Sequence, residues 1–196
     1  MYQRSQVKTI AERMQEEDNP LMQVVVGPRQ TGKSTMISQA LEQVSLPVHS
    51  VSADDELAPT VEWLRTEWQQ TRNRQQRTGE PVILVLDEVQ KVKGWPNVVK
   101  GLWDADRRDG TPLKVVLSGS SSLILRKGLD DSLTGRFELI RSSHWSFDEC
   151  RKAFGFSLND FLVFGGFPGA ARFVGNEQRW RSYMRDSIIE PTISKD

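Results

Sequence analysis

A chain of 196 residues has room for one domain, or for one domain and a fragment of a second. Twenty-six Lys and Arg balance twenty-six Asp and Glu, and the net charge of zero argues against the basic excess of a generic nucleic-acid or anionic-membrane surface. One cysteine excludes an internal disulfide framework, and with only two histidines beside it a structural zinc site has too few ligands.

Residues 2–17 place Val7, Ile10, Ala11 and Met14 at helical spacing, and Asp18-Asn19-Pro20 closes that helix. The N-terminus is amphipathic and lacks a signal-peptide apolar stretch, so the expectation is a soluble, cytoplasmic protein. A short apolar strand follows over 21–26, then a helix over 33–44 with Ile37, Leu41 and Val44 on one face. Residues 47–52 read as a second strand. Residues 58–77 read as a long helix with Val61, Leu64 and Trp68 turned inward. The run 82–86 is wholly apolar, too short for a bilayer and suited to a strand buried on both faces of a parallel sheet. A helix over 96–108 carries Val99, Leu102, Trp103 and Asp106, and strands over 114–117 and 137–140 complete the series. Strands alternating with helices across 21–141 imply right-handed βαβ units and a parallel sheet. Beyond Ser142 the pattern changes: Ser146-Phe147-Asp148-Glu149 is a capping box and the remainder reads as short helices, the last over 179–189. The expected division is an α/β core over 1–143 and a helical part over 144–196.

The strongest signal is Gly27-Pro28-Arg29-Gln30-Thr31-Gly32-Lys33-Ser34, a full match to G-x-x-x-x-G-K-[ST] between a strand and a helix. Glycines let successive backbone N–H groups turn inward around phosphate oxygens, and the helix N-terminus adds partial positive charge. Lys33 is then expected at the β- and γ-phosphates of a nucleotide, Ser34 on Mg²⁺, and Thr35 in the first turn beside them. A bare glycine turn opening an ordinary helix would need neither the lysine nor the hydroxyl. Some 55 residues on, the apolar strand 82–86 ends in Asp87-Glu88, so Asp87 fits the metal's shell and Glu88 a general base for the attacking water. Ser118-Gly119-Ser120-Ser121 lies at the end of the fourth strand, where a doubly wound sheet forms its ligand crevice. Ser120 or Ser118 is expected to sense the γ-phosphate, with Ser121 as a helix cap.

With these elements placed, the chain resembles an AAA+ ATPase, and more narrowly the prokaryotic and archaeal predicted ATPases related to the STAND group. The resemblance rests on VVVGPRQTGKST, ILVLDEVQKVKGW, VVLSGSSSLIL with LTGRFELI, and GGFPGA. It implies ATP and Mg²⁺ as ligands, an AAA+ type parallel sheet flanked by helices, and a small C-terminal helical lid. It further implies that Arg136 can act as a finger on a neighbouring subunit's γ-phosphate, which would make the protein a homo-oligomer. The other reading of Arg136 is a structural arginine paired with Glu138 or Asp131. In Gly166-Phe167-Pro168 the resemblance brings Pro168 toward the adenine; the plainer reading is a helical corner needing positive φ at glycine and proline at N1. The chain departs from the resemblance in having no lid arginine that clearly matches a second sensor, although Arg172 lies close to Pro168. Relatives of this kind continue into further domains, so the chain reads as truncated, its protein effector unknown.

Other residues carry less. His49 and His144 read as solvent-facing or hydrogen-bonded, Cys150 as a small buried hydrophobe, the six tryptophans as core and interface anchors, and the Arg/Gln-rich face of 65–77 as solvated. The leading function is ATP hydrolysis driving a conformational switch. A nucleotide-gated binding module with little hydrolysis is the first alternative. A small-molecule P-loop kinase is the second, weakened because residues 121–135 offer only Arg126 and Lys127 as lid cations.

Overall fold

The computed structural model describes residues 2–17, 19–120 and 132–190. In chain order the elements are α1 (Ser5–Gln15), β1 (Met22–Gly27), α2 (Lys33–Leu41), β2 (Val48–Ser52), α3 (Val61–Thr78), β3 (Val82–Asp87), α4 (Trp95–Asp109), β4 (Leu113–Ser120) and β5 (Phe137–Arg141). Three short helices follow: α5 (Phe147–Phe154), α6 (Leu158–Phe164) and α7 (Glu177–Tyr183). The strands form a parallel sheet in the order β2-β3-β4-β1-β5, placing β1 and its phosphate loop between β4 and β5.

Strand period explains the apolar runs. Along β3, Val82, Leu84 and Leu86 face one side, where they pack with Leu64 and Trp68 of α3 and Val99 and Trp103 of α4. Ile83 and Val85 face the other, against Val7, Ile10 and Met14 of α1 and Met36, Ile37 and Ala40 of α2. Helices on both faces leave no room for alternating polar residues, so β3 is continuously hydrophobic from Val82 to Leu86. Asp106, an acid among the inward residues of α4, is buried because Trp68 Nε1 and Arg72 Nε both donate to it at 2.7 Å.

Element ends differ from the sequence reading for local reasons. Thr60 accepts from the Trp63 N–H, so α3 starts at Val61 rather than at residue 58. Past Leu41 the chain tightens into i→i+3 bonds, Gln43 N–H to Ala40 O and Val44 N–H to Leu41 O, which end α2 before Val44. β4 runs on to Ser120, because Val25, Val26 and Gly27 of β1 offer a ladder to Ser118, Gly119 and Ser120. The predicted final helix is α7 followed by a π-helical stretch over Met184–Ile189.

The C-terminal helices have their own small core of Cys150, Phe156 and Phe164 with Trp145, Phe161 and Trp180. Ser146 and Glu149 form the expected reciprocal capping box on α5, and Ser157 with Asp160 repeats it on α6. Among the described residues, no helix is long and apolar enough to cross a membrane.

Candidate phosphate and nucleotide site

The phosphate loop leaves β1 and enters α2 through Gly32 at φ +85°, and, its own chain neighbours aside, no atom of the described residues lies within 4 Å of where its Cβ would be. Only glycine adopts that conformation cheaply, and the open space in front of it is what an anion needs. Gln30 is held at φ +59°. Thr31 is fully buried, its hydroxyl donating to Pro28 O at 3.0 Å. Trp145 Nε1 donates to Thr31 O at 3.0 Å, so the loop is braced from the C-terminal side.

Lys33 folds back over this loop, donating to Gly27 O at 3.1 Å and Pro28 O at 2.9 Å. Burial pulls its pKa below the ordinary lysine value, the Glu88 and Asp87 carboxylates oppose that shift, and Arg29 adds to it. Ser34 donates its hydroxyl to Asp87 Oδ2 at 2.7 Å, joining the first turn of α2 to the end of β3. A hydroxyl and a carboxylate brought together beside a phosphate loop are hard oxygen donors, and that set fits Mg²⁺, which keeps several waters and takes few protein ligands.

Glu88 follows Asp87 in the left-handed region at φ +50°, a strained conformation for a residue with a side chain. Its N–H donates to Asp87 Oδ1 at 3.0 Å, and its carboxylate accepts from Gln90 Nε2. The same Gln90 nitrogen donates to Ser120 Oγ at 3.3 Å. Ser120 ends β4 opposite Gly27 in the strand register. Ser118 points the same way two residues deeper, fully buried, with no partner for its hydroxyl among the described residues. Ser121 and Asp131 lie outside the described residues, as do Arg126 and Lys127.

Two cavities of about 350 Å³ each meet at this loop. One is polar and takes in Arg29, Lys33, Ser34 and Glu88, with Ser187 and Ile188 on its far wall. The other is apolar and is walled by Tyr2, Met36, Trp145, Phe154 and Pro168. Gly32 and Thr35 belong to both walls. The turn at Pro168 begins a short 3-10 helix with proline at its start. The left-handed glycine there is Gly165, whereas Gly166 is required by contact, since a Cβ on it would stand 2.2 Å from Trp145 O.

Sequence reasoning passed over several long-range contacts that hold this site. Arg4, 5% exposed, donates to Glu149 at 2.7 Å and to Ser142 Oγ at 3.0 Å, locking α1, β5 and α5 together behind the loop. Gln30 Nε2 donates to Ser187 O at 3.0 Å, while its Oε1 accepts from Tyr183 Oη at 2.7 Å. These partners lie more than a hundred residues away along the chain, and no local pattern announces them. Arg172 turns to Gly169 O at 3.2 Å and stacks over Phe173.

Arg136 stands elsewhere. Its carbonyl accepts from Met22 N–H at the start of β1, so it lies a strand length, roughly 16 Å at ~3.3 Å per residue, from the phosphate loop of its own chain. Its guanidinium is bidentate to Asp104 of α4, at 2.7 and 3.0 Å. Glu138, one of the acids expected to pair with it, instead accepts from Gln23 at 2.8 Å and faces Arg13.

A parallel sheet with a phosphate loop between its first strand and the following helix defines a P-loop NTPase fold. Residues 19–151 match a family of AAA domains, and the chain belongs to that family. It is similar to an uncharacterized protein of Haemophilus influenzae, 25% identical, with 79% of this chain and 41% of that protein covered. The chain therefore spans about two fifths of that relative's length. In fold it is similar to the ORC1 protein of Aeropyrum pernix solved in complex with DNA, at TM-score 0.60 and 15% identity, covering 92% of this chain and 58% of that one. Cdc6p of Pyrobaculum aerophilum gives TM-score 0.54 at 12% identity, covering 75% and 46%. A katanin whose self-assembly was studied structurally gives TM-score 0.54 at 19% identity, covering 78% and 55%.

Proposed function

We propose that this chain binds ATP with Mg²⁺ and hydrolyses it, using the reaction to drive a conformational switch of the AAA+ type related to the STAND group. The observation that carries the reading is the pair of cavities joined at Gly32 and Thr35, one polar and lysine-lined, the other apolar and aromatic. A nucleotide has those two ends. Its phosphates belong with Lys33 and the loop N–H groups from Arg29 to Thr35, and its base in the apolar cavity against Tyr2, Trp145 and Pro168. Mg²⁺, when bound at Ser34 and Asp87, neutralises charge developing on the transferring phosphoryl group. Glu88 takes the proton of the attacking water, and Ser120 donates toward the γ-phosphate. Residues 144–196 act as the lid over the base, and Arg136 serves a neighbouring copy's site in a homo-oligomer. The site is cytoplasmic in this reading, and its protein effector is unassigned.

One observation favours a slowly cycling, nucleotide-gated module as the second reading. Ser187 and Ile188 stand on the phosphate-side wall, and Gln30 ties the loop to that segment, so nucleotide exchange requires the segment to give way. Single-turnover hydrolysis of labelled ATP by the parent and by Glu88→Gln separates the two. The amide keeps size and polarity but takes up no proton, so Mg-ATP affinity stays within a few-fold while the rate falls ~10²–10⁴-fold. A parent rate equal to that of the variant refutes general-base hydrolysis by Glu88.

A further inference from the structure

The carboxylate that would take the water's proton does not stand alone. Glu88 occupies the left-handed region, and the turn over Val89–Lys91 that follows brings Gln90 back beside it. The orientation of the Gln90 amide is fixed by chemistry, because a carboxylate only accepts hydrogen bonds and the –NH₂ end must face it. That nitrogen has two hydrogens. One goes to Glu88 Oε2 and the other to Ser120 Oγ. A serine hydroxyl that accepts from Gln90 keeps its own proton for donation. Ser120 is 7% exposed and level with Gly27, so the proton has the phosphate-loop crevice to point into. The Gln90 carbonyl oxygen is buried and has no partner among the described residues, leaving one more acceptor in the group.

We propose that Gln90 is a positioning residue that holds the Glu88 carboxylate and the Ser120 hydroxyl in one fixed relation, so that base and γ-phosphate donor act as a unit. The inference rests on the hydrolytic reading above and deepens it. Gln90 touches neither phosphate nor water in this scheme. It acts by fixing one carboxylate oxygen so that the other receives the proton, and by directing the Ser120 proton outward. Misplacement of a catalytic group by about 1 Å costs roughly 10²-fold even when binding is untouched.

The test uses the whole chain and three variants: Gln90→Leu, Ser120→Ala and their double. Gln90→Leu should lower the single-turnover rate at least tenfold while calorimetric Mg-ATP affinity stays within about twofold. Affinity for ADP with aluminium fluoride, a mimic of the transferring phosphoryl group, should fall alongside the rate, since only transition-state contacts are lost. If the two residues act as a unit, the double variant should be no slower than the slower single one. Losses that multiply independently overturn the link. So does a Gln90→Leu rate equal to the parent's, or an ATP affinity that falls as far as the rate. Should Gln90→Leu fail to fold, Gln90→Met keeps the length without the amide and is held to the same outcomes. A parent chain that turns over no ATP defeats the hydrolytic reading itself, and an active parent with an unaffected Gln90 variant defeats only this one.

Discussion

Lys33 shows how one residue's two states can be told apart by free energy. In the structure its ammonium group satisfies carbonyls of its own loop, at Gly27 and Pro28, under two carboxylates that favour its charge. Phosphate oxygens would take over from those neutral carbonyls, and charge-assisted contacts are worth roughly 1.5–3 kcal/mol each. Lys33→Ala should therefore weaken Mg-ATP binding tenfold or more by calorimetry. The fold should tolerate the change, because Lys33 lines the polar cavity and belongs to neither hydrophobic cluster of the sheet. Unchanged affinity would remove the phosphate-loop assignment. This residue was legible in the sequence because its spacing from two glycines and a hydroxyl is itself the chemistry. Gln90 was not, since its reach to Glu88 depends on a left-handed backbone at Glu88 that no composition or period encodes.

At the scale of elements, the sheet could be read directly because the central strands carry apolar runs, Val24–Val26, Val82–Leu86 and Val115–Leu117, that face helices on both sides. Its ends could not. β4 extends through Ser118 and Ser120 only because β1 is there to pair with it, so a polar run that reads as loop becomes strand. Helix α5 was visible from its capping box, and its consequence falls on Cys150. Burial, reinforced by the Glu149 carboxylate, pushes this thiol up to about 11 from an ordinary value near 9. Native protein at pH 8 should thus resist iodoacetamide, with labelling appearing only in denaturant. The sign of the stability effect follows from the raised value. The neutral thiol suits the folded state, so its contribution is complete below about pH 9 and is lost as pH rises through about 11. Urea midpoints should fall further between pH 8.5 and pH 11 for the parent than for Cys150→Ala, and the difference between the two chains isolates the thiol's contribution. Equal pH dependence would show that Cys150 ionises as freely folded as unfolded.

For the whole molecule, the α/β architecture followed from strand and helix alternation, but the way the C-terminal helices seat on the loop did not. That seating depends on contacts such as Arg4 with Glu149, Trp145 with Thr31 and Tyr183 with Gln30, which join residues far apart in the chain. Arg136 raises the question of assembly at the same scale. Its pairing with Asp104 is partly solvent-exposed, and ion pairs open to water are weak, so the guanidinium can be released at little cost. Its distance from its own phosphate loop means that any catalytic contact must be made to another copy. A finger of this kind contributes on the order of 10³–10⁵ in rate. If Arg136 acts in trans, specific activity should rise with protein concentration, and Arg136→Ala should flatten that rise without weakening ATP binding. If it only braces α4 against β5, the same change should lower the melting temperature slightly and leave the concentration dependence intact. Mixing Arg136→Ala with Lys33→Ala chains decides between them. The first keeps an intact nucleotide site and the second an intact arginine, so mixed pairs should regain activity that neither chain has alone. No recovery in a mixture shown by sedimentation to contain mixed oligomers would confine Arg136 to its contact with Asp104.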